Sequence, residues 1–134
     1  MDCTNYNATE QNRRTDTMKK KKVYLAGPMR GIPEFNFPAF MSYASKLRAL
    51  GYIVMNPAEM DIEEYGDKVW KGRSGNIDKL SEDITINSCL SRDLLCLCKE
   101  ADAVALMPDW HKSKGALAEK ATAIALGLEV MYLD

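Results

Sequence analysis

Four short apolar segments, separated by longer stretches with helical periodicity, constrain the fold of this 134-residue chain more than any other feature. The segments are Val23–Ala26, Tyr52–Met55, Ala103–Leu106 and Val130–Leu133. Nearly continuous apolar runs of this length are typical of strands that are buried on both faces of a parallel sheet. Strands that alternate with helices predict right-handed crossovers and an α/β fold. We therefore expect a three-layer sandwich with a parallel sheet of four or five strands.

Three of the intervening segments predict helices. Apolar residues recur at helical spacing over Phe37–Leu50, and further helices are predicted over Thr85–Glu100 and Ser113–Leu126. Gly51 and Gly127 follow the first and third of these segments directly. Glycine is the usual residue just beyond the end of a helix, so both support these boundaries.

Two other segments do not predict a regular element. Residues 57–84 are mostly polar and contain three glycines, which predicts an irregular excursion with room for a short helix or a fifth strand. A loop of this length in a compact domain is often a lid or a binding segment. Residues 1–20 are polar and lack the apolar core of a signal peptide. We expect them to form a disordered N-terminal tail ahead of a single domain over residues 21–134.

The composition argues against several classes of partner. The formal net charge is −1, so the chain has no basic field that would attract nucleic acid or a membrane surface. No segment is long and apolar enough to span a bilayer. The four cysteines form no C-x-x-C pair and the chain has one histidine, which argues against a zinc site. We expect a cytoplasmic protein with free, buried thiols, no metal and no cofactor.

Ligands of open α/β sheets bind beyond the carboxyl ends of the strands. Three predicted loops meet that condition, and they cover residues 27–31, 56–59 and 108–115. The candidate substrate-binding residues in them are Gly27, Met29, Arg30, Gly31, Asn56, Trp110, Ser113 and Gly115. The Arg30 guanidinium could bind a phosphate or a carboxylate through two hydrogen bonds. An ordinary turn with an exposed arginine is the alternative interpretation of the first loop.

The segment from Ser113 to Glu119 combines a helix start with a carboxylate. Ser113 is a good N-cap, and Gly115 permits close approach to backbone N–H groups that can hold an anion. Glu119 lies under two turns into the predicted helix, and its side chain leans back toward this end. The helix dipole would favour the ionised form of Glu119, which nucleophilic attack on a sugar carbon requires. The alternative is a solvated glutamate that pairs with Lys120 or another cation.

Other candidate site residues are acidic or aromatic. Asp93 lies about two turns into a predicted helix and could supply a second carboxylate. Asp102, at the start of a predicted strand, is interpreted as structural, and His111 is interpreted as a surface residue. The aromatic residues that could stack on a base are Phe35, Phe37, Trp70 and Trp110. Core packing competes with stacking for the two phenylalanines, and both interpretations stay open for the tryptophans.

Several different short motifs are distributed over about residues 21–133. They are residues 23–31 (VYLAGPMRG), 35–40 (FNFPAF), 56–59 (NPAE), 92–94 (RDL), 101–103 (ADA), 108–110 (PDW) and 113–116 (SKGA), followed by Glu119. Each motif alone is weakly specific. Together they resemble the nucleoside 2-deoxyribosyltransferase superfamily, and within it a branch found in phages and bacteria.

The resemblance implies a flavodoxin-like sheet and cleavage of the N-glycosidic bond of a deoxynucleoside or deoxynucleotide, with Glu119 as the nucleophile. Superfamily members that act on free nucleosides tend to carry aspartate at the position of Ser113. The related deoxynucleoside monophosphate N-glycosidases carry a serine there, which helps to hold the 5′-phosphate. Ser113 and Arg30 therefore imply a 5′-monophosphate substrate. The family is commonly oligomeric, which implies a homodimer or a larger homo-oligomer.

Two features depart from the pattern of this superfamily. The spacing from Asp93 to Asp102 is one residue longer, and residues 57–84 have no clear counterpart. Three functions stay open. The first is an N-glycosidase in which Glu119 attacks C1′ and Asp93 protonates the leaving base. The second is a deoxyribosyltransferase that exchanges bases, and the third is a non-catalytic module that binds or senses nucleotides.

Overall fold

A computed structural model describes residues 20–66, 70–71, 73–80 and 83–134 of the chain. The predicted N-terminal tail, residues 1–20, lies outside these ranges apart from Lys20. Within the described ranges, no helix has both the length and the apolar character needed to cross a membrane.

A parallel sheet of four strands organises the described residues. The strands are β1 (Lys22–Ala26), β2 (Ile53–Met55), β3 (Ala103–Leu106) and β4 (Glu129–Tyr132). Their order is β2-β1-β3-β4, and every pairing is parallel, as in flavodoxin-like sheets. The predicted α/β class and flavodoxin-like sandwich are confirmed. The described part of residues 57–84 contains no fifth strand.

Burial explains why the two central strands are almost wholly apolar. Every residue of β3, and of β1 from Val23 onward, has no exposed surface. Helices cover both faces of such strands, so neither face can carry a solvated side chain. The outer strands β2 and β4 tolerate exposed residues such as Ile53 and Glu129. Tyr24 is the one residue of β1 beyond Lys22 that brings a polar side-chain atom into this interior.

Four α-helices pack around the sheet in the described residues. They are α1 (Phe37–Ala49), α2 (Pro57–Tyr65), α3 (Ile86–Glu100) and α4 (Lys114–Ala125). Three of them occupy the predicted helical segments, whereas α2 lies in the segment predicted to be irregular. Asn56 starts α2, because its side-chain oxygen accepts a hydrogen bond from Ala58 N at 3.0 Å. Pro57 suits the first helical position, where no N–H partner is needed.

The described part of the excursion beyond α2 packs against the loop that follows β1. Gly31 N donates to Gly75 O at 2.9 Å, and Glu34 N donates to Arg73 O at 2.8 Å. An added Cβ at Gly75 would lie 2.3 Å from Ile32 O. Only glycine permits this approach of two backbones, so the two segments are held together at a sterically demanding contact.

The loop after β1 also contains three consecutive residues in the left-handed region. Glu34, Phe35 and Asn36 have φ angles of 56°, 53° and 61°. This conformation costs an L-residue about 1–2 kcal/mol. Burial of the Phe35 side chain and a 2.9 Å hydrogen bond from Asn36 Nδ2 to Pro28 O hold this turn. Strained backbone of this kind concentrates at functional sites.

Three smaller predictions can be compared with the structure. Asp102 is structural, since its Oδ2 accepts a hydrogen bond from Lys22 N at 2.9 Å. His111 is exposed, as predicted. The described thiols are free, but the prediction that they are buried is wrong. Cys98 is exposed and Cys89 is half-buried, because both lie on parts of α3 that the sheet does not cover.

We expect Gly27→Ala to lower the free energy of unfolding by about 1–3 kcal/mol. An added Cβ would lie 2.9 Å from Met107 Cβ and 2.8 Å from Met107 Sδ, closer than packed side chains approach. Gly115→Ala is the matched control, because its new Cβ would be 3.8 Å from the nearest atom, Ser113 Oγ. Urea denaturation measures both variants, and equal stabilities would contradict the packing argument.

Candidate active site

A cavity of about 590 Å³ lies at the carboxyl ends of β1 and β3, where ligands of open α/β sheets bind. Its volume is in the usual range of small-molecule sites. Apolar side chains in its lining include Phe35, Phe37, Phe40, Trp70, Ile77, Leu80 and Ile84. Charged and hydroxyl side chains in its lining include Arg30, Asp61, Asp93, Lys112, Ser113, Lys114 and Glu119. Residues of the excursion thus form part of the cavity wall.

Most of the residues predicted to form a site line this one cavity. They are Gly27, Met29, Arg30, Phe37, Asp93, Ser113, Gly115 and Glu119. These residues come from the loop after β1, from α1, from α3 and from the start of α4. The structure therefore brings together segments that are far apart in the sequence.

Asn56, Trp110 and Gly31 lie outside the cavity, each for a local reason. Asn56 is buried and caps α2. The Trp110 ring packs against Tyr132 and lies 4.2 Å from the Lys120 ammonium nitrogen. Gly31 adopts a left-handed turn with φ of 82°, and its N–H is bonded to the excursion. Their positions do not support the predicted contacts with a substrate.

Glu119 lies in the second turn of α4 and faces the cavity. It is only 6% exposed, and its Oε2 accepts a hydrogen bond of 2.5 Å from the Tyr24 hydroxyl. The alternative interpretation, a solvated glutamate that pairs with Lys120 or another cation, is wrong because Glu119 is buried and bonded to Tyr24, while Lys120 lies over the ring of Trp110. Glu119 therefore contributes a buried carboxyl group to the lining.

Tyr24 is a residue of the site that sequence reasoning missed. In the sequence it is one member of the apolar run that forms β1. A buried tyrosine hydroxyl usually has a hydrogen-bond partner, which was the signal that the sequence offered. The partner, Glu119, lies 95 positions further along the chain, so pairing the two residues required the fold.

Burial raises the pKa of Glu119 from its ordinary value of 4.5 to about 8. The Tyr24 hydrogen bond opposes this rise, whereas the negative charge of Asp93 adds to it. The helix dipole is expected to favour the ionised form of Glu119, and burial acts in the opposite direction. Removal of the carboxylate from water outweighs the favourable dipole.

Asp93 is the second buried carboxyl group of the cavity. Arg92 Nη2 lies 2.7 Å from Asp93 Oδ1 and 2.6 Å from Asp61 Oδ1, so one guanidinium joins α3 to α2. Burial raises the pKa of Asp93 from 3.8 to about 6, and the charge of Arg92 opposes that rise. The partnership with Asp61 was not predicted, because α2 lies in the segment that lacks a clear periodicity.

The start of α4 can bind an anion. Ser113 Oγ caps the helix by accepting a hydrogen bond from Ala116 N at 3.1 Å. The first N–H groups of a helix have no partner within it, and the absence of a side chain at Gly115 leaves open space beside them. The lining also includes three cationic residues, Arg30, Lys112 and Lys114, of which Lys112 pairs with Asp109 at 3.5 Å. Together these groups suit a phosphate or a carboxylate.

The two buried carboxyl groups suit acid–base and nucleophilic chemistry. With pKa values of about 6 for Asp93 and about 8 for Glu119, the pair holds one proton over the range between these values. A pair of carboxyl groups whose environments separate their pKa values can divide the roles of acid and base or nucleophile. Among the described residues, no group of three or more His, Cys, Asp or Glu side chains is arranged to hold a metal ion.

We expect Glu119→Gln to be more stable than the wild type above pH 8 by a few kcal/mol, since each pKa unit corresponds to about 1.4 kcal/mol. The folded protein binds the Glu119 proton more tightly than the unfolded chain does. The stability that this tighter proton binding gives to the folded protein is fully present below pH 4.5 and is lost as the pH rises through 8. Glutamine stays neutral and avoids the loss. Denaturation at several pH values measures the difference, and parallel profiles for the two proteins would contradict it.

The family of the chain follows from comparison with known proteins. No curated protein matches it. Residues 21–132, nearly the whole of the predicted domain, match the family described as "Domain of unknown function (DUF4406)". The chain therefore belongs to the DUF4406 family.

Proposed function

We propose that this protein is an N-glycosidase that cleaves the base from a nucleoside or deoxynucleoside 5′-monophosphate, with Glu119 as the nucleophile. One observation carries the proposal: the buried carboxyl groups of Glu119 and Asp93 line the same cavity as the anion-binding start of α4. The resemblance to the nucleoside 2-deoxyribosyltransferase superfamily supports the role of Glu119 as the nucleophile.

The lining fits the three parts of a nucleotide. A flat base suits the apolar wall of the cavity, where the rings of Phe37 and Trp70 pack against each other with centroids 4.6 Å apart. A phosphate suits the start of α4, where Ser113 and the free N–H groups lie. Glu119 follows Ser113 by six residues, fewer than two turns along the same helix, and its side chain leans back toward the helix start, where a sugar would follow a bound phosphate.

The proposed reaction has two steps. In the first, the one proton of the pair moves from Glu119 to Asp93, and the ionised Glu119 oxygen forms a bond to C1′ while the C1′–N bond breaks through an oxocarbenium-like transition state. The base leaves with the electron pair of that bond and takes a proton from Asp93. In the second step, water attacks C1′, Asp93 takes a proton from the water, and Glu119 leaves as a carboxylate.

Tyr24 positions the nucleophile in this scheme. Its hydroxyl donates to Glu119 Oε2, which favours the ionised carboxylate against the effect of burial. The same hydroxyl interacts with Asp93 and lowers the pKa of that carboxyl group. Tyr24 is therefore near both acids and can stabilise either one when it is charged.

The proposal also covers location and assembly. We place the enzyme in the cytoplasm, where the free thiols of the described residues stay reduced. The resemblance implies a homodimer or a larger homo-oligomer. A deoxyribosyltransferase would share the first step and replace the water by a second base. A sensing module would bind the nucleotide and leave it intact.

We expect the wild-type protein to release free base from at least one 5′-monophosphate in a panel of nucleosides and 5′-monophosphates. Glu119→Ala and Glu119→Gln should lose at least about 10³-fold in turnover, because the covalent step needs the carboxylate. Asp93→Asn should lose about 10²–10⁴-fold, the usual contribution of a positioned acid. Chromatography of the released base measures all four proteins.

Lys120→Gln is the control for this series, since Lys120 is on the same helix but lies over Trp110, outside the cavity. It should keep wild-type turnover. Adding a second free base tests for exchange, which would identify a transferase. Wild-type turnover in Glu119→Ala, or binding of nucleotides that stay intact for hours, would overturn the proposal.

We expect kcat/KM to follow a bell-shaped pH profile with limbs near pH 6 and pH 8. The first step needs one proton on the pair, with that proton on Asp93 and Glu119 ionised. Below this range both groups are protonated, and above it both are ionised. Asp93→Asn should lose the alkaline limb, since only Glu119 then titrates. A wild-type rate that continues to rise well above pH 8 would contradict this assignment.

A further inference from the structure

We infer that Asp61 selects the base, so that the site prefers nucleotides whose base carries an exocyclic amino group, as in cytosine and adenine. Bases with a carbonyl oxygen at that position, as in uracil and hypoxanthine, are disfavoured. This inference rests on the proposed function, because it takes the ligand to be a nucleoside 5′-monophosphate held next to Glu119.

A series of polar contacts leads from the nucleophile to Asp61. The Tyr24 hydroxyl bonds to Glu119 and also interacts with Asp93. Asp93 Oδ1 and Asp61 Oδ1 then share Arg92 Nη2, at 2.7 Å and 2.6 Å. Seen from Glu119, Asp61 therefore lies beyond the proton donor. A base that is attached to C1′ and protonated by Asp93 extends in that direction.

The surroundings of Asp61 suit recognition of a ligand. Asp61 lines the cavity, and its side chain is 18% exposed. Its Oδ1 is buried and lies 2.6 Å from Arg92 Nη2, so Oδ2 is the oxygen that we assign to a ligand. The Tyr65 hydroxyl and the Cys89 thiol also line the cavity near this end of α2 and α3. Asp61 is the only charged acceptor among these three groups.

The hydrogen-bonding chemistry of a carboxylate sets the preference. An ionised carboxylate accepts hydrogen bonds and donates none. Burial raises the pKa of Asp61, and the ion pair with Arg92 opposes that rise and favours the ionised form. An exocyclic amino group donates, so it satisfies the free oxygen. A carbonyl oxygen in its place would bring two acceptors together without a proton between them. Buried groups left without a partner carry a penalty that lowers affinity.

Glu64 offers a matched control on the same helix. It also pairs with Arg92, through Nη1 at 3.3 Å, but its side chain is 43% exposed. It does not belong to the cavity lining. Glu64→Gln therefore removes one carboxylate from the Arg92 network without removing an acceptor from the cavity.

The test compares two pairs of ligands that differ in one group. They are the 5′-monophosphates of deoxycytidine and deoxyuridine, and those of deoxyadenosine and deoxyinosine. Affinity is measured on the Glu119→Gln background by titration calorimetry, and kcat/KM is measured on proteins that retain Glu119. We expect the amino member of at least one pair to be favoured about tenfold or more. Asp61→Asn should bring that ratio close to one, because an amide both donates and accepts, whereas Glu64→Gln should keep it.

The outcomes separate this inference from the proposed function. Release of base without an amino preference in the wild type would overturn the inference and leave the glycosidase intact. The inference would also be overturned if the amino preference survived in Asp61→Asn, or if Glu64→Gln removed it as fully as Asp61→Asn does. An amino preference in binding that depends on Asp61, without release of base from any ligand, would support recognition by Asp61 and overturn the glycosidase.

Discussion

The hydrogen bond between Tyr24 in β1 and Glu119 in α4 is the interaction on which the site depends. Both side chains are buried, so water cannot replace either partner. Leaving one of them unpaired would incur a penalty of about 1–3 kcal/mol. The bond therefore ties the centre of the sheet to the helix that carries the carboxyl group, and it orients that group toward the cavity. Burial also gives Glu119 its raised pKa, so orientation and proton affinity have one structural origin.

Several backbone segments that border the cavity adopt demanding conformations. Residues 34–36 lie in the left-handed region, and Gly75 approaches the backbone of Ile32 too closely for any side chain. Gly27 lies directly against Met107. These local costs are offset by the apolar core of the two central strands, which is fully buried. The stable sheet thus supports a less favourable arrangement of loops at its carboxyl edge, where binding sites of this architecture lie.

The anion-binding groups and the carboxyl groups come from different parts of the cavity lining, which suits a ligand with a phosphate at one end and a polar ring at the other. The start of α4 can hold an anion, while Asp93 and Asp61 present carboxylates joined by Arg92. The Arg92 guanidinium limits the mutual repulsion of these acids and connects α3 with α2. A segment with no regular pattern in the sequence therefore contributes directly to the electrostatics of the site, through a helix that begins at Asn56.

Local pattern was enough to determine the α/β class, three of the four described helices, and the position of Glu119 near a helix start, because periodicity, caps and turn residues act over a few positions. The tertiary structure alone decided that Tyr24 meets Glu119, that Asp61 joins Asp93 through Arg92, and that burial raises the pKa of Glu119. Solvation and hydrogen bonding of a side chain depend on neighbours brought from distant parts of the chain. The sequence around a residue does not reveal which distant residues will become its neighbours.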